Sequence, residues 1–325
     1  MATTDACRTI IEETRPADEL TVSYVVPTYN RPTWAARAVS SVVSSSKRGG
    51  YPIEVVVTDN STSRNVMDAV LPILREGKCD YRVFANSPPT GMVENMNLGI
   101  SSARGRYVAF VHDDDYVTAN AVRDHHVELQ HHPRPVYLFG VRVVNASGRR
   151  ARLPKRAAEG DHAPVSAVKM LLHDSSFVRF PGILARREVY TDAGGFDDSF
   201  GASADVDMWL RLFAVHGVRI VQSVTACYTL HGNALTASMF NAHSISAINR
   251  IFERAKCVSD LTLPEIESAR ADFVTKFLVA GALRSLRSRD VPQARSVLEL
   301  RDRAALTRQA QTWLELVYRT LRMAL

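Results

Sequence analysis

Tyr107-Val108-Ala109-Phe110-Val111 runs directly into His112-Asp113-Asp114-Asp115-Tyr116, and this stretch decides how the chain is interpreted. The five apolar residues predict a buried strand that ends in three consecutive acids. Like charges this close repel each other unless a cation shares the site, and Mg²⁺ or Mn²⁺ takes carboxylate oxygens while keeping positions open for phosphate. A solvated acidic turn is the plain alternative. The surrounding sequence separates the two.

A short apolar strand followed by an amphipathic helix occurs four times in the first half of the chain. The strand and helix pairs are 20–27 with 32–43, 53–58 with 66–74, 81–85 with 92–103, and 107–111 with 119–129. Continuous apolar strands that alternate with helices indicate a parallel sheet covered on both faces. We therefore predict an α/β fold with a doubly wound, mostly parallel, Rossmann-like sheet.

Polar residues follow three of these strands. They are Tyr29-Asn30, Asp59-Asn60 and Asp113 to Asp115. In a doubly wound sheet, ligands bind beyond the carboxyl ends of the strands, so we expect the three clusters to meet in one crevice. That arrangement favours a cation and ligand site over a solvated turn.

The second half has a different character. It contains a predicted strand at 136–144, a polar connection at 145–164 expected to be a mobile loop, a helix at 205–215, and apolar runs at 218–221 and 226–230. Helical patterns follow at 244–255, 264–286 and 304–323. We predict one domain at 1–238, with a nucleotide-binding half at about 20–135 and an acceptor half at about 136–238, and a C-terminal helical region at 239–325.

Composition excludes several classes of protein. Of 325 residues, 46% are hydrophobic, yet no apolar run is long enough for a membrane span and no signal segment opens the chain, so we expect a cytoplasmic protein. Four cysteines without CxxC spacing argue against structural zinc and disulfides. Neither GxGxxG nor GxxxxGK[ST] follows the first strand, which disfavours a dehydrogenase or a P-loop enzyme.

Several ordered motifs together carry a resemblance to a known family. They are Pro27-Thr28-Tyr29-Asn30-Arg31-Pro32, Val57-Thr58-Asp59-Asn60-Ser61, Gly91 with Asn95 and Asn97, and Gly105 to Val111 leading into the acids. This set resembles the family 2 inverting glycosyltransferases, whose fold is called GT-A. The resemblance covers roughly residues 21–236.

The resemblance implies roles for the residues that follow the first strands. Pro27, Tyr29 and Arg31 would shape the nucleotide pocket, with Tyr29 against the base or ribose, and Asp59 would bind the nucleobase. A helix cap or turn is the plain alternative for Asp59. Asn97 matches the family segment that leads to the acidic strand, with a structural role as its alternative.

The acidic run and one histidine would bind the metal and the sugar. By the resemblance, Asp113 lies near the ribose, sugar and metal, and Asp115 lies on the metal. In the other register of the DxD motif, Asp114 takes the metal-proximal position. His231, in a late Y-x-x-H stretch, would be the third metal ligand, and a polar turn residue is its alternative. His112 is either a group that supports the ligands or a packed histidine.

The segment Ala204-Asp205-Val206-Asp207-Met208-Trp209-Leu210-Arg211 resembles the family's "ED…D-W-L-R" segment. Asp205 then falls on the catalytic base, although Ala204 stands where the family usually has Glu. Asp207 either caps or orients the helix or contacts the acceptor, and Trp209 is placed on the acceptor side. Acids favoured by the helix dipole are the alternative for both aspartates.

The resemblance therefore implies an inverting glycosyltransferase that uses Mn²⁺ or Mg²⁺. It would transfer a sugar from a nucleoside diphosphate donor, most often UDP, to a hydroxyl or amine acceptor. The alternatives are a sugar-1-phosphate nucleotidyltransferase and a degenerate, non-catalytic sugar-binding protein.

Charge suggests further partners. The chain carries a net charge of +6, and from Arg270 onward eleven Lys or Arg stand against five Asp or Glu. A peripheral contact of the basic C-terminal helices with a membrane and a homodimer are two candidate roles for the tail. Nucleic acid is not expected, because zinc-finger spacing and aromatic RNA-binding signatures are absent from the sequence.

Overall fold

A computed structural model describes residues 7–13, 21–152, 157–231, 240–303 and residue 315. The predicted helix at 304–323, apart from residue 315, and the motif residues 232–236 lie outside this part. The chain forms two compact units. The sheet unit comprises 1–162, 176–198 and 218–231, and the helical unit comprises 163–175, 199–217 and 232–325.

The first half of the sheet unit alternates strands and helices as predicted. Its elements are β1 (Cys7–Glu13), β2 (Val22–Thr28), α1 (Pro32–Gly49), β3 (Ile53–Asp59), α2 (Asn65–Gly77), β4 (Asp80–Ser87), α3 (Met92–Ser102), β5 (Tyr107–Phe110), β6 (Tyr116–Val117) and α4 (Ala121–His131). Strand β1 was not predicted. The remaining elements are β7 (Val136–Asn145), β8 (Arg150–Arg152), β9 (Gly160–His162), β10 (Ile183–Arg186), α6 (Arg187–Asp192) and β11 (Val218–Leu230).

The strands form one mixed sheet in the order β1-β4-β3-β2-β5-β10-β7-β11-β6, with β8 on β7 and β9 on β11. β4, β3, β2 and β5 pair in parallel, as do β7 and β11, while β10 runs antiparallel between β5 and β7. The predicted doubly wound, mostly parallel sheet is confirmed. The predicted loop at 145–164 is different, because β8 and β9 within it pair with their neighbours in the sheet.

Burial explains why the central strands are continuously apolar. Every residue of β3 is buried, and in β2 only Pro27 is partly exposed. Helices therefore cover both faces, as expected for parallel strands. Gly99 on α3 shows how closely they pack, since a Cβ there would lie 2.3 Å from Cγ1 of Val25. The carboxyl ends of β2, β3 and β5 lie side by side, which brings the predicted polar clusters to one edge.

The helical unit contains five described helices. They are α5 (Pro164–His173), α7 (Ala204–His216), α8 (Ala242–Val258), α9 (Leu263–Arg287) and α10 (Val291–Glu299). α5 packs on α7 and α9, α8 packs on the same two helices, and α10 packs on α9. α9 begins with a capping box in which Thr262 and Glu265 bind each other's backbone N–H groups.

The C-terminal helices predicted at 244–255 and 264–286 are therefore present as α8 and α9, and they pack with α5 and α7 from the predicted acceptor half. The predicted domain boundary at residue 238 stays a prediction. None of the helices described here is both long and apolar enough to cross a bilayer.

Candidate active site

Asp113 is held at the carboxyl end of β5 by contacts from the loop between β2 and α1. Its carboxylate accepts hydrogen bonds from the Thr28 hydroxyl at 3.1 Å and the Tyr29 N–H at 3.4 Å, and Arg31 approaches it at 3.2 Å. Burial raises the pKa of Asp113 and the charge of Asp114 raises it further, whereas Arg31 and the two hydrogen bonds lower it. The first loop therefore fixes this carboxylate without fully neutralising it.

Asp115 is the most deeply buried of the three acids, with 1% of its surface exposed. Its Oδ1 accepts the N–H of Thr229 at 2.8 Å. Its Oδ2 has no hydrogen-bond partner within the described part of the chain. Burial and then the charge of Asp114 raise the pKa of Asp115 well above its usual range, and Thr229 and Arg37 oppose this effect. A buried carboxylate oxygen without a partner is costly unless a ligand completes it.

Asp114 lies between two cationic or potentially cationic side chains. Arg31 contacts it at 3.2 Å, and Nε2 of His231 lies 2.8 Å from the same carboxylate oxygen. His231 comes 116 residues after Asp115 in the chain, and the fold brings it into contact with the acidic loop. Arg31 contacts both Asp113 and Asp114, so its guanidinium bridges the two carboxylates.

The fit of these residues to a divalent cation rests on their oxygen atoms. Among the described residues, no group of three or more His, Cys, Asp or Glu side chains is arranged to hold a metal ion. The predicted ligand set of Asp113, Asp115 and His231 stays a prediction. Mg²⁺, however, is commonly held by one or two carboxylates together with substrate phosphates. The unpartnered oxygen of Asp115 beside Asp114 fits that smaller requirement.

His112 packs beside the acids. Its ring lies 4.3 Å from the ring of Phe180, and burial lowers its pKa. The contact with Phe180 agrees with the packed histidine that the sequence left open.

Asp59 ends β3 and closes a turn. It is 2% exposed and its Oδ1 accepts the N–H of Ser61 at 2.9 Å. Burial raises its pKa, and the hydrogen bonds from Ser61 lower it. Asp59 therefore forms the turn that was its plain alternative, at the strand end where the resemblance places the nucleobase.

Asn30 ties the first loop to this turn. Its backbone has φ of 54°, in the left-handed region that Asn tolerates better than most residues. Its N–H donates to the Ser61 hydroxyl at 2.7 Å, and its side-chain oxygen accepts the N–H of Thr62 at 3.1 Å. The two loops are thus joined in both directions. Tyr29 next to it is 54% exposed, so its ring is open to a ligand.

A network of buried amide side chains supports the same edge, and the sequence motifs contain Asn60 and Asn95 but do not predict that they belong to it. Asn60 and Thr90 exchange two hydrogen bonds of 2.6 Å, in which the side chain of Asn60 pairs with the backbone of Thr90. Asn86 donates to Asn95 at 3.1 Å, and Asn95 donates to the Thr58 carbonyl at 2.9 Å. The available signal was the placement of four polar residues after β3, at the end of β4, in the connection to α3 and in α3 itself.

Pro27 and Asn97 have local contacts of different kinds. Pro27 lies inside β2 opposite Thr58. The side chain of Asn97 accepts the N–H of Phe196 at 2.8 Å and donates to its carbonyl at 2.9 Å. Gly195, with φ of 75°, leaves room for this pairing, because a Cβ there would lie 2.8 Å from Oδ1 of Asn97. These contacts agree with the structural role of Asn97, and the nucleotide roles of both residues stay predictions.

In the helical unit, the two aspartates of the α7 segment have different surroundings. Asp205 lies in the first turn, is partly exposed, and its Oδ1 accepts the N–H of Val206 at 2.7 Å. Asp207 is fully buried and forms ion pairs with Arg211 at 2.8 Å and Arg254 at 2.6 Å. Of the roles left open for Asp207, these contacts agree with orientation of the helix.

Trp209 is 1% exposed and belongs to the core. The predicted acceptor-side roles of Asp207 and Trp209 remain predictions, and both residues are buried in this structure.

Comparison with known proteins gives a consistent picture. The family model described as "Glycosyl transferase family 2" matches residues 23–194, just over half of the chain. The uncharacterized protein MT1568 of Mycobacterium tuberculosis is 29% identical over 207 residues, which are 61% of this chain and 63% of that protein. An uncharacterized glycosyltransferase of Rickettsia conorii, RC0461, is 28% identical over 94 residues, 29% of this chain and 15% of that protein. The matches thus span less than two thirds of either relative.

Solved structures show similarity of fold. S. aureus TarS has a TM-score of 0.64 at 16% identity, with 90% of this chain and 50% of that chain covered. The mannosyltransferase PcManGT from Pyrobaculum calidifontis, solved with GDP-Man and Mn²⁺, has a TM-score of 0.52 at 18% identity, with coverages of 93% and 82%.

Proposed function

The chain belongs to glycosyl transferase family 2 and has the GT-A fold, and from that premise we propose that it is an inverting, metal-dependent glycosyltransferase. It takes a sugar from a nucleoside diphosphate donor, with UDP as the first candidate, and transfers it to a hydroxyl or amine of an acceptor. The single observation that carries the proposal is the buried Asp115, whose Oδ2 lacks a partner in the described part of the chain, beside Asp113 and Asp114.

Asp115 and Asp114 would hold the divalent ion, with Asp113 and His231 as the further predicted members of the site. When bound, Mn²⁺ or Mg²⁺ supplies positive charge against the charge that develops on the departing diphosphate. Arg31, which contacts Asp113 and Asp114, adds a fixed guanidinium on the same side. A planar guanidinium suits a phosphate oxygen pair as well as a carboxylate, so Arg31 also suits the diphosphate.

The nucleotide lies, in this proposal, between the first loop and the turn after β3. Tyr29 offers an exposed ring for stacking, and Asp59 offers a fixed acceptor at the strand end. TarS has been solved with UDP and with UDP-GlcNAc, and PcManGT with GDP-Man. These complexes support a nucleoside diphosphate sugar as the donor class, with UDP and GDP as the first two forms to test.

Asp205 is the proposed general base. It is partly exposed on the first turn of α7, where the helix dipole favours a negative charge. Asp205 accepts the proton of the acceptor hydroxyl or amine as that atom attacks the anomeric carbon from the face opposite the diphosphate. The C–O bond to the diphosphate breaks as the new bond forms, through an oxocarbenium-like transition state, and the anomeric configuration inverts. Asp205 lacks the neighbouring Glu of many relatives, because Ala204 stands in its place and is buried.

The test is a screen of UDP-, GDP- and dTDP-sugars with Mn²⁺, measured as thermal stabilisation and as release of nucleoside diphosphate. We expect stabilisation by one donor class and product of inverted anomeric configuration by NMR. Asp205→Asn should lower kcat by about 10²- to 10⁴-fold and leave donor KM nearly unchanged. The matched control is Asp260→Asn, which changes an exposed acid of the same unit.

Three results would overturn the proposal. Release of pyrophosphate from a nucleoside triphosphate would favour the nucleotidyltransferase alternative. Transfer that survives both Asp115→Ala and Asp205→Asn would remove the catalytic assignment. A product that keeps the anomeric configuration of the donor would exclude the inverting mechanism.

Contact with a membrane surface, formation of a homodimer and a cytoplasmic location remain proposals that rest on the sequence. Three of the eleven basic residues of the tail, Arg308, Arg319 and Arg322, lie outside the described residues. Flotation with anionic liposomes at low and high salt tests the first, and sedimentation of the full chain tests the second.

A further inference from the structure

Arg37, on α1, contacts the backbone of the acidic loop, which comprises Asp113 to Asp115. Its Nη2 donates to the carbonyl oxygen of Asp114 and, at 3.3 Å, to the hydroxyl of Thr229 near the end of β11. Its guanidinium carbon lies 4.6 Å from the ring centre of Trp34 and 4.8 Å from that of Tyr116. One side chain thus joins helix α1, the acidic loop and the end of strand β11.

The segments that Arg37 joins are the ones that carry the proposed ligands. Thr229 accepts from Arg37 through its hydroxyl and donates its N–H to Asp115. Two residues later, His231 contacts Asp114, and its ring lies 5.1 Å from Trp34. Trp34 therefore packs beside His231, and Arg37 donates to the backbone of Asp114, so α1 contacts both members of this pair.

The same helix holds the backbone that follows the acids. Ser41 accepts the N–H of Val117 at 3.0 Å. Ser45 donates to the carbonyl of Ala119 at 3.3 Å and accepts the N–H of Val122 at 3.1 Å. Arg37, Ser41 and Ser45 are spaced four residues apart, so they lie along one face of α1. This polar stripe supports residues 114–122 over two helical turns.

We propose that Arg37 is a positioning residue, which docks the acidic loop on the end of β11 and so holds Asp114, Asp115 and His231 in place before a donor binds. The proposal deepens the proposed glycosyltransferase function and rests on it for its catalytic meaning. Arg37 itself is not proposed to touch the substrate.

The chemistry of arginine suits this task better than that of lysine. A guanidinium is planar, so it can lie over aromatic rings while its N–H groups donate to two acceptors in fixed directions. Lysine keeps the charge but has a flexible stem and no plane to stack. An Arg→Lys change should therefore restore the charge and only part of the geometry.

The first experiment measures hydrogen exchange on the full chain without ligand. We compare wild type, Arg37→Met, Arg37→Lys and the control Arg48→Met, which changes an exposed arginine on the same helix. Arg37→Met should speed exchange of the Asp115 and Thr229 amides by roughly tenfold, because both lie in segments that it docks. Arg37→Lys should fall between, and Arg48→Met should match wild type. The turn at 59–62 should exchange at the wild-type rate in all four proteins.

The second experiment measures donor turnover and the binding of Mn²⁺ with UDP on the same proteins. Arg37→Met should lower kcat/KM by roughly 30-fold and weaken Mn²⁺ and UDP binding by roughly tenfold, with partial recovery in Arg37→Lys. A purely structural role would lower the melting temperature but leave binding per folded molecule unchanged. If Arg37→Met does not fold, Thr229→Val takes its place, because it removes one acceptor at nearly constant volume.

The outcomes separate this proposal from the function on which it rests. Wild-type exchange rates at Asp115 and Thr229 in the folded variants would overturn the role of Arg37. Binding and turnover within twofold of wild type would also overturn it. Faster exchange in Arg37→Met, in a chain whose wild type binds no nucleotide with Mn²⁺, would support the docking role and reject the proposed function.

Discussion

Asp207 on α7 and Asp115 in the acidic loop are both buried, but the chain surrounds their carboxylates in opposite ways. Asp207 is enclosed by Arg211 and Arg254, each within 2.8 Å of one of its oxygens. Asp115 receives one backbone N–H on Oδ1, and its Oδ2 has no partner among the residues that the structure describes. Two guanidinium groups contact one carboxylate in the first case. In the second, one backbone N–H donates to Oδ1, and the charge of Arg37 only partly offsets the effect of burial on the pKa of Asp115.

The difference separates a carboxylate that stabilises its surroundings from one that is prepared for a ligand. A buried carboxylate oxygen without a hydrogen-bond partner is unfavourable, so such a site is kept where a cation from outside completes it. The two aspartates were placed in the same predicted site by their motifs. Their contacts, and not their residue type, distinguish them.

The largest expected effect is on sugar transfer in Asp115→Asn. The amide keeps the shape of the side chain but removes the charge, so transfer should fall by about 10³-fold. The melting temperature should stay the same or rise, because a desolvated charge is removed. Steady-state turnover and a thermal melt on the same preparation measure both. Turnover within tenfold of wild type would erase the contrast with Asp207.

Asp207→Asn tests the other side of the comparison. It leaves Arg211 and Arg254 beside a neutral amide in a buried position, which should lower the free energy of unfolding by about 3 kcal/mol. Urea denaturation measures this change. A loss below 1 kcal/mol would mean that the buried ion pairs do not stabilise the helical unit, and a selective loss of acceptor binding would revive the acceptor-side prediction.

A neutral buried group extends the comparison to pH. His125 is 3% exposed, its Nδ1 lies 2.8 Å from the Tyr24 hydroxyl, and burial lowers its pKa to about 3. Below its ordinary pKa of about 6.5, the unfolded chain binds a proton that the folded chain does not, so stability falls as pH falls from 6.5 towards 3.

The contribution of His125 between pH 7 and pH 5 should be about 2 kcal/mol of lost stability. Urea denaturation at the two pH values measures it, with His125→Gln as the variant that cannot titrate there. The same loss in the variant and in wild type would assign the effect to other groups, with His126 as the next candidate because burial lowers its pKa too.

The smallest effect is expected for Asp161→Asn, which matches Asp207 in chemistry but not in burial. Asp161 also contacts two arginines, Arg134 at 2.8 Å and Arg219 at 3.3 Å, but 46% of its side chain is exposed. Exposed ion pairs are screened by water, so the loss should be about 1 kcal/mol or less. An equal loss in Asp161→Asn and Asp207→Asn would show that burial is not the deciding factor.

The sequence was sufficient to predict the alternating core of the sheet, because strand and helix patterns there are local. It predicted the edge where Tyr29, Asp59 and the three acids lie, because parallel strands end at one side. It missed β1, whose strand depends on antiparallel pairing with β4, far along the chain. It also divided β11 into two runs, because Gln222 and Ser223 interrupt the apolar pattern where the strand shifts its register against β7.

The contacts around the candidate site were harder to predict for the same reason. The resemblance pointed to His231, but only the fold shows that it contacts Asp114. Arg37 belongs to no motif, and its partner Thr229 lies 192 residues away. Asn60 belongs to the motif after β3, but its partner Thr90, 30 residues away, does not. No local pattern encodes such pairs. The spacing of Arg37, Ser41 and Ser45 was visible, but a polar stripe on a helix ordinarily indicates a surface.

The position of β10 sets the earliest moment during synthesis at which the two parts of the sheet can be joined. β10 pairs with β5 on one side and β7 on the other, so it is the strand that joins the two parts of the sheet. A nascent chain that has not yet released residue 186 from the ribosome leaves both of those strands with open edges. Chaperone demand and aggregation of truncated products should therefore be greatest for chains that stop between β7 and β10.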